Sequence, residues 1–173
     1  MSEALAYSFE PVAQADARIL ILGSMPGRDS LRAAQYYAHP RNAFWRIMAD
    51  ILHFDAGVPY QNRTAALSAA RIALWDVLHS CRRPGSLDSS IEANTVVVND
   101  FQSFFLRYAG INAVIFNGSK AEHYYVRRVL PHLDANPPLY FRAPSTSPAH
   151  ASLSYARKLE IWRGLLGKGL GSA

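Results

Sequence analysis

The chain has 173 residues, which suits one domain, and we expect a single domain over residues 1–173 with its core at about 18–166. Half of the residues are hydrophobic and 18% are charged, a composition that is typical of a globular protein and excludes a disordered chain. Basic residues outnumber acidic residues by 18 to 13, which permits binding to a polyanion without requiring it.

The compartment follows from two further features. The single cysteine, Cys81, excludes an internal disulfide and predicts a buried free thiol in a reducing compartment. The sequence has neither a cleavable cationic and apolar N-terminal segment nor an apolar run of membrane-spanning length. We therefore expect a cytoplasmic monomer without a membrane partner. No cluster of His, Cys, Asp or Glu has metal-binding spacing, so no metal is expected.

The first half of the chain begins with an apolar run at residues 18–22, which predicts a short buried strand. The turn 23–27 (Gly-Ser-Met-Pro-Gly) ends this strand, and a polar and aromatic loop is predicted from there to Pro40. From Asn42 the apolar residues fall at helical spacing, which predicts an amphipathic helix. A second strand is predicted at 71–75.

The middle of the chain is predicted to contain a loop at residues 81–92, which is rich in Arg, Gly, Ser and Asp. Asn99 or Asp100 could cap the next helix, which carries four aromatic residues. A third strand is predicted at 112–116.

The last part of the chain opens with Ser119 and Glu122, whose spacing matches a capping box at the start of a helix. A pair of prolines precedes a brief strand at 139–142, which is predicted to lie at a sheet edge. A loop at 143–152 leads to a final amphipathic helix, whose end after Gly167 is expected to fray.

Strands thus alternate with helices along the chain, which predicts an α/β fold of three layers, αβα, with a central, mostly parallel sheet of four strands. In such folds ligands bind beyond the carboxyl ends of the strands. The loops that follow strands are therefore the ones to search for function, namely 24–40, 76–87, 117–119 and 143–150.

Two of these loops carry the most distinctive residues. Residues 23–27 form a Gly-x-x-Pro-Gly turn directly after a strand, and residues 36–45 read Tyr-Tyr-Ala-His-Pro-Arg-Asn-Ala-Phe-Trp. Together they resemble the uracil-DNA glycosylase superfamily, and most closely its hypoxanthine-DNA (deoxyinosine) glycosylase branch. Residues 73–78 and 85–88 are similar to the same branch, and the resemblance extends from about residue 18 to 162.

The resemblance implies a DNA-repair enzyme that flips a damaged base out of DNA and hydrolyses its N-glycosidic bond, with hypoxanthine as the base, DNA containing a deaminated base as the partner, and no cofactor. The chain departs from the superfamily at two places. Met25 stands where uracil-type relatives have Asn or Asp to position water, and Ala143 replaces the usual His of the second motif. These departures weaken the interpretation as a uracil or mismatch-specific enzyme, which remains the main alternative.

Asn42 and His39 are the catalytic candidates. The amide of Asn42 can accept a hydrogen bond from water and donate one to the base or sugar, and the resemblance implies that it is the key polar group. The alternative is a helix N-cap, and both roles could hold. His39 could protonate or polarise the base, or serve only as a structural hydrogen-bonding group before Pro40.

The candidates for base binding are Tyr37, Asp76, Ser24 and Met25. The resemblance implies that Tyr37 stacks on the flipped base, although a core tyrosine is an equal alternative. Asp76 follows the second strand and could accept a hydrogen bond from N1–H of hypoxanthine, or cap a helix or pair with an arginine. Ser24 and Met25 lie in the first turn.

DNA contacts are expected from residues of two later loops that suit backbone phosphates: Arg82, Arg83, Ser145, Ser147 and His150. Each of them could also be an ordinary loop residue. Two other classes of function stay open at this point. One is a non-catalytic nucleotide-binding α/β module, although no glycine-rich phosphate loop is present. The other is a hydrolase with Ser24 as nucleophile, although the G-x-S-x-G elbow is missing.

Overall fold

The structure is a computed structural model that describes residues 4–134 and 137–171. The ends of the predicted domain, residues 1–3 and 172–173, lie outside the described residues. In chain order the strands and helices are β1 (Ala6–Tyr7), β2 (Ile19–Gly23), α1 (Arg28–Ala33), α2 (Phe44–Leu52), α3 (Tyr60–Ala69), β3 (Ile72–Asp76), β4 (Leu78–Cys81), β5 (Val97–Val98), α4 (Phe101–Arg107), β6 (Ala113–Asn117), α5 (Ser119–Arg128), β7 (Leu139–Ala143) and α6 (Tyr155–Leu170).

The central sheet has four parallel strands in the order β3-β2-β6-β7. Every residue of β2 and β3 is buried, which explains their continuous apolar sequences, because a parallel strand is covered on both faces. The edge strand β7 is largely exposed or half-buried. The predicted fold class, the four strands and the edge position of the last strand are confirmed.

Helices cover both faces of this sheet. Alternate residues of β2 point to opposite faces, so Leu20 belongs to one hydrophobic cluster and Ile21 to the other. The first cluster includes aromatic residues of α4 and α5, and the second includes residues of α2, α3 and α6. The sheet is therefore the middle of three layers, and its carboxyl edge is where loops from both sides meet.

A second, antiparallel sheet in the order β1-β4-β5 was not predicted. Strand β4 follows β3 after a single residue, Val77, so the predicted loop at 81–92 begins at the last residue of a strand. Asn99 connects the two sheets, because its Nδ2 donates to the carbonyl oxygen of Asp76 at 2.8 Å and to that of Leu78 at 3.3 Å. The end of β3 is thereby held firmly in place.

The helices depart from the sequence predictions in several respects. The predicted loop up to Pro40 contains α1, and α3 was not predicted. The predicted capping box of Ser119 and Glu122 is wrong. The N-cap residue is Gly118, which has no side chain to cap the helix, and Glu122 instead pairs with Arg142 at 3.2 Å. Fraying from Gly167 is also wrong as far as Leu170, where α6 ends. Capping by Asp100 is confirmed, since its side chain accepts from the backbone N–H of Ser103 at 3.1 Å.

Cys81 is a buried free thiol, as predicted. Over residues 4–134 and 137–171, none of the helices has both the length and the apolar character that a membrane span requires.

Candidate active site

A cleft of about 640 Å³ opens at the carboxyl edge of the central sheet. Its walls come from the loops after β2, β6 and β7, which the fold class marks for ligand binding, from the last residue of β3, and from the loop after β4. All six predicted catalytic and base-binding residues line it, together with part of the predicted DNA-binding set: Ser24, Met25, Tyr37, His39, Asn42, Asp76, Ser145, Ser147 and His150.

The floor of the cleft is formed where Gly23, Asp76 and Tyr37 converge. Gly23 and Asp76 are the paired last residues of β2 and β3. A Cβ atom at Gly23 would lie 2.5 Å from Oδ1 of Asp76 and 2.8 Å from the hydroxyl oxygen of Tyr37. Glycine is therefore required at the end of β2, because any side chain would displace both polar groups.

Asp76 is almost completely buried, with 3% of its surface exposed. Its Oδ2 has no hydrogen-bond partner among the described residues. Desolvation by burial and the nearby charge of Asp88 raise the pKa of Asp76 to about 7, and Arg83 opposes this shift. A buried acceptor without a partner is costly for folding, so this oxygen is a strong candidate for substrate contact.

Tyr37 presents a second unsatisfied group to the same floor. Its hydroxyl is buried without a hydrogen-bond partner in the described part of the chain. Burial, and then the charge of Asp76, raise the pKa of Tyr37. The ring stacks on Phe44 with centroids 4.2 Å apart, and the backbone is left-handed at φ 53°. Non-glycine residues rarely adopt this conformation, and such strain is common at functional sites.

Asn42 lies at the wall of the cleft, two residues before α2 begins. Its Oδ1 accepts a hydrogen bond from the backbone N–H of Phe44 at 3.0 Å, so the cap-like contact considered from the sequence is present. Among the described residues no hydrogen bond involves its Nδ2. The side chain can therefore hold the helix start with its oxygen and donate into the cleft with its nitrogen.

His39 also lines the cleft, but the protein engages both of its ring nitrogens. Nδ1 accepts from the backbone N–H of Arg41 at 3.1 Å, and Nε2 lies 3.8 Å from Oδ2 of Asp29. The first contact fixes the neutral tautomer as the one protonated at Nε2. This geometry favours the structural interpretation of His39 over a free acid or base.

The first turn is tied to the loop after β4 by Asp88. The hydroxyl of Ser24 donates to Oδ2 of Asp88 at 2.7 Å, and no imidazole hydrogen-bonds to Ser24 among the described residues. The nucleophile–histidine pair that the hydrolase alternative needs is not formed there. Met25 is buried with 6% exposure and supplies an apolar part of the cleft wall.

Residues 145–150, called the serine-rich loop below, line one side of the cleft. Asn117, at the end of β6, braces this loop: its Nδ2 donates to Oγ1 of Thr146 at 3.0 Å, and its Oδ1 accepts from the Thr146 N–H at 2.9 Å. The backbone N–H of Ala43 donates to the Thr146 carbonyl at 3.0 Å. Ser145 and Ser147 thus lie on a loop anchored to both β6 and α2.

The two arginines predicted to contact DNA are not at the cleft. The side chain of Arg83 is only 2% exposed, its Nε donates to the Gly85 carbonyl at 3.3 Å, and its Nη2 donates to the carbonyl of Pro26. Its expected phosphate contact is wrong, because the guanidinium faces inward and anchors two loops. Arg82 is exposed and does not line the cleft.

Sequence reasoning gave no role to Asp88, Asn117 or Lys120, all of which line the cleft. Asp88 lies in the segment 85–88 that resembles the family, and Asn117 directly follows a predicted strand. These two positions could therefore have indicated that both residues belong to the site. Within the described ranges, no group of three or more His, Cys, Asp or Glu side chains could hold a metal ion.

The family model described as "Uracil DNA glycosylase superfamily" matches residues 10–166 of this chain. The chain belongs to the uracil DNA glycosylase superfamily. A hypoxanthine DNA glycosylase from Methanosarcina barkeri is 40% identical over 117 residues, which are 67% of this chain and 73% of the relative. A hypoxanthine DNA glycosylase from Methanosarcina acetivorans is 35% identical over 132 residues, which are 71% of this chain and 82% of the relative.

A solved structure gives the same result for the fold. A solution NMR structure of a protein from Methanosarcina acetivorans, described as a candidate uracil DNA glycosylase, matches with a TM-score of 0.77 and 31% identity. The match covers 94% of this chain and 97% of that one. Membership of this glycosylase superfamily makes the protein a DNA glycosylase, a hydrolase of N-glycosyl bonds, rather than a non-catalytic nucleotide-binding module.

Proposed function

We propose that this glycosylase removes hypoxanthine from DNA that contains deoxyinosine, by hydrolysis alone and without cleaving the strand. The observation that carries the proposal is the buried Oδ2 of Asp76, which has no partner in the described residues and lies at the floor of the cleft. The names of the two relatives from Methanosarcina support the same substrate.

Asp76 suits the edge of hypoxanthine. A carboxylate only accepts hydrogen bonds, and hypoxanthine presents N1–H as a donor, whereas adenine has a lone pair at N1. In the same position, flipped adenine would place its N1 lone pair against the carboxylate where hypoxanthine has N1–H, so the site would disfavour the undamaged parent base. Uracil also offers an N–H donor. Met25 argues against a uracil enzyme of the ordinary type, since a thioether is a weak acceptor and cannot orient water well.

The remaining cleft residues have distinct roles in the proposal. The flipped base stacks on Tyr37, a contact worth roughly 1–3 kcal/mol, and Phe44 supports that ring from behind. Nδ2 of Asn42 donates a hydrogen bond to the base or positions the attacking water. His39 holds the loop between them through its contacts with Arg41 and Asp29.

The reaction requires no group beyond base, sugar and water. The bond between C1′ and N9 breaks, its electron pair remains on the departing base, and water adds its oxygen to C1′. One proton of that water ends on the base, so the products are free hypoxanthine and an abasic sugar. Hydrogen-bond donors that face the base stabilise the charge developing on it.

Single-turnover excision from oligonucleotides tests this proposal. Substrates would carry one hypoxanthine, uracil, xanthine or adenine, in duplex and single-stranded form. We expect hypoxanthine to be released, with strand breaks only after alkali treatment. Asp76→Asn should reduce that release on the order of 10²-fold or more. Asp88→Asn is the matched control: it also removes a carboxylate from the cleft, keeps an oxygen for Ser24, and should have the smaller effect.

Two results would contradict the proposal. One is faster release of uracil than of hypoxanthine by the wild-type protein. The other is a covalent protein–DNA adduct trapped by borohydride. Such an adduct would show that an amine attacks the sugar, and Lys120, which lines the cleft, would be the first residue to test.

A further inference from the structure

A second groove of about 320 Å³ lies beside the cleft, between the beginning of α2, the beginning of α6 and the serine-rich loop. The groove and the cleft are adjacent, because both are lined by Arg41, Asn42, Thr146, Ser147 and Pro148. Asn42 and Ser147, which line both depressions, already have roles at the cleft, but the basic residues Arg41, Arg46 and Lys158 of the groove have none so far.

The groove is lined by positive charge. Arg41, Arg46 and Lys158 contribute to its wall, and no Asp or Glu of the described residues does. The guanidinium of Arg46 lies 3.8 Å from the ring centroid of Tyr155, which holds it flat against the wall. The nearby carboxylate of Asp50 is already engaged, because the hydroxyl of Tyr155 donates to its Oδ2 at 2.5 Å.

Lys158 is the most unusual of these residues, because only 6% of its surface is exposed. Its Nζ donates to the carbonyl oxygen of His150 at 2.6 Å, and in residues 4–134 and 137–171 no other acceptor bonds to it. An ammonium group has three donors, so this one retains donor capacity in a site with little water. Burial lowers the pKa of Lys158, and an anion in the groove would offset that cost.

We infer that this groove binds a phosphodiester of the DNA strand next to the flipped nucleotide. The inference rests on the proposed function insofar as it takes DNA as the substrate. The forked guanidiniums of Arg41 and Arg46 and the ammonium of Lys158 match phosphate oxygens. Pro148 and Leu153 offer apolar contact to a sugar in the same groove. Its position next to the cleft favours a polymer backbone over a free phosphate ion.

The test compares Arg46→Gln with Arg107→Gln. Both arginines are exposed and lie against a tyrosine ring, but Arg107 is on α4, at the opposite face of the sheet. The dissociation constant for a duplex carrying one hypoxanthine would be measured as a function of salt. Arg46→Gln should weaken binding about tenfold and lower the salt slope by about 1, since one phosphate contact is lost. Arg107→Gln should change neither quantity.

A methylphosphonate scan locates the contact. Replacing each phosphate near the lesion with a neutral group, one at a time, should weaken wild-type binding at one or two positions. At those positions Arg46→Gln should lose little further affinity, because its contact is already absent. Equal losses for both proteins at every position would overturn the inference, as would equal salt slopes for the two arginine variants.

These outcomes separate the groove from the proposed substrate. If the wild-type protein releases no hypoxanthine, the proposed function fails, and binding to a duplex carrying an abasic analogue still tests the groove. If hypoxanthine is released while Arg46→Gln binds DNA like the wild-type protein, the inference about the groove is wrong and the proposed function stands. Inorganic phosphate would also be added at constant ionic strength as a competitor of DNA binding. If Arg46→Gln abolishes this competition but leaves the affinity for DNA unchanged, the groove is a site for a free anion and the inference is overturned.

Discussion

The protonation state of Asp76 links base recognition to pH. Its pKa is raised to about 7, first by burial and then by Asp88. Acceptance from N1–H needs the carboxylate form, which predominates above that pH. We therefore expect kcat/KM for hypoxanthine release to rise as the pH increases through about 7, with a plateau on the alkaline side.

Two variants decide which group produces this inflection. Asp76→Asn should lose it, whereas His39→Gln, which removes the imidazole from the cleft, should retain it. A profile that falls through neutrality in the wild-type protein would mean that the protonated acid is the active form, contrary to the proposed recognition.

Burial of Asp76 also affects stability. Its native pKa lies above the ordinary value of 3.8, so the charged form destabilises the folded protein. This cost is fully present above pH 7 and disappears as the pH falls towards the ordinary value. Asp76→Asn should raise the free energy of unfolding in alkaline buffer by a few kcal/mol, at about 1.4 kcal/mol for each unit of pKa shift, and by less in acid.

Urea denaturation of this variant on both sides of neutrality checks the stability prediction, with the exposed Asp16→Asn as control. A loss of stability above pH 7 would show that Asp76 has a stabilising partner in the folded protein. A gain in stability together with a loss of activity is the pattern expected of a residue kept for function.

Asn42 can be tested at the level of single atoms. Asn42→Asp keeps an oxygen for the N–H of Phe44 but removes the Nδ2 donor, whereas Asn42→Ala removes both. We expect both variants to lose roughly 10²–10³ in single-turnover rate. Only Asn42→Ala should also lose about 1 kcal/mol of stability. Full activity in Asn42→Asp would leave Asn42 as a helix cap and exclude its amide from catalysis.

At the scale of the elements, the serine-rich loop depends on one side chain at the end of β6. Asn117→Ala removes both hydrogen bonds to Thr146, including the acceptor for a buried N–H. We expect faster hydrogen exchange of the amides at 145–150, weaker DNA binding and a stability loss of about 1–3 kcal/mol. Asn112→Ala, at the exposed residue directly before the opposite end of β6, should leave the loop unchanged. Equal exchange rates in the two variants would contradict the bracing role.

The elements that sequence analysis predicted are those with a strong apolar pattern. Strands β2 and β3 are fully buried, β6 is buried except at its last residue, and α2 has a clear apolar face. Helix α3 buries only Leu67, so it has little periodicity to detect. Strand β4 is Leu-His-Ser-Cys, β1 and β5 have two residues each, and pairing rather than propensity makes them strands.

The residues of the candidate site divide in the same way into those with a signal in the local sequence and those without one. Asp76 and Asn42 could be predicted because both lie in segments that resemble the glycosylase family and because each adjoins an element with a clear apolar pattern. The contact of Asp88 with Ser24 joins residues 64 positions apart, and the inward course of Arg83 depends on the path of a long loop. Neither leaves a local signal in the sequence. The Lys158 contact to His150 likewise depends on how α6 packs against the serine-rich loop.

At the scale of the whole molecule, the cleft, the serine-rich loop and the basic groove form one continuous surface at the carboxyl edge of the sheet. The net charge of +5 favours approach to DNA, while Asp76 at the floor of the cleft meets the base in the proposed complex. Affinity and base selection are thereby assigned to different parts of this surface.

The most direct test of hypoxanthine specificity is a competition between two lesions in one reaction. The wild-type protein would receive equimolar duplexes of the same sequence, one with hypoxanthine and one with uracil opposite the same base, labelled with different fluorophores. The ratio of the initial rates gives the ratio of kcat/KM values directly. Preferential release of hypoxanthine is the predicted result, with the preference reduced in Asp76→Asn; equal rates or a preference for uracil would contradict it.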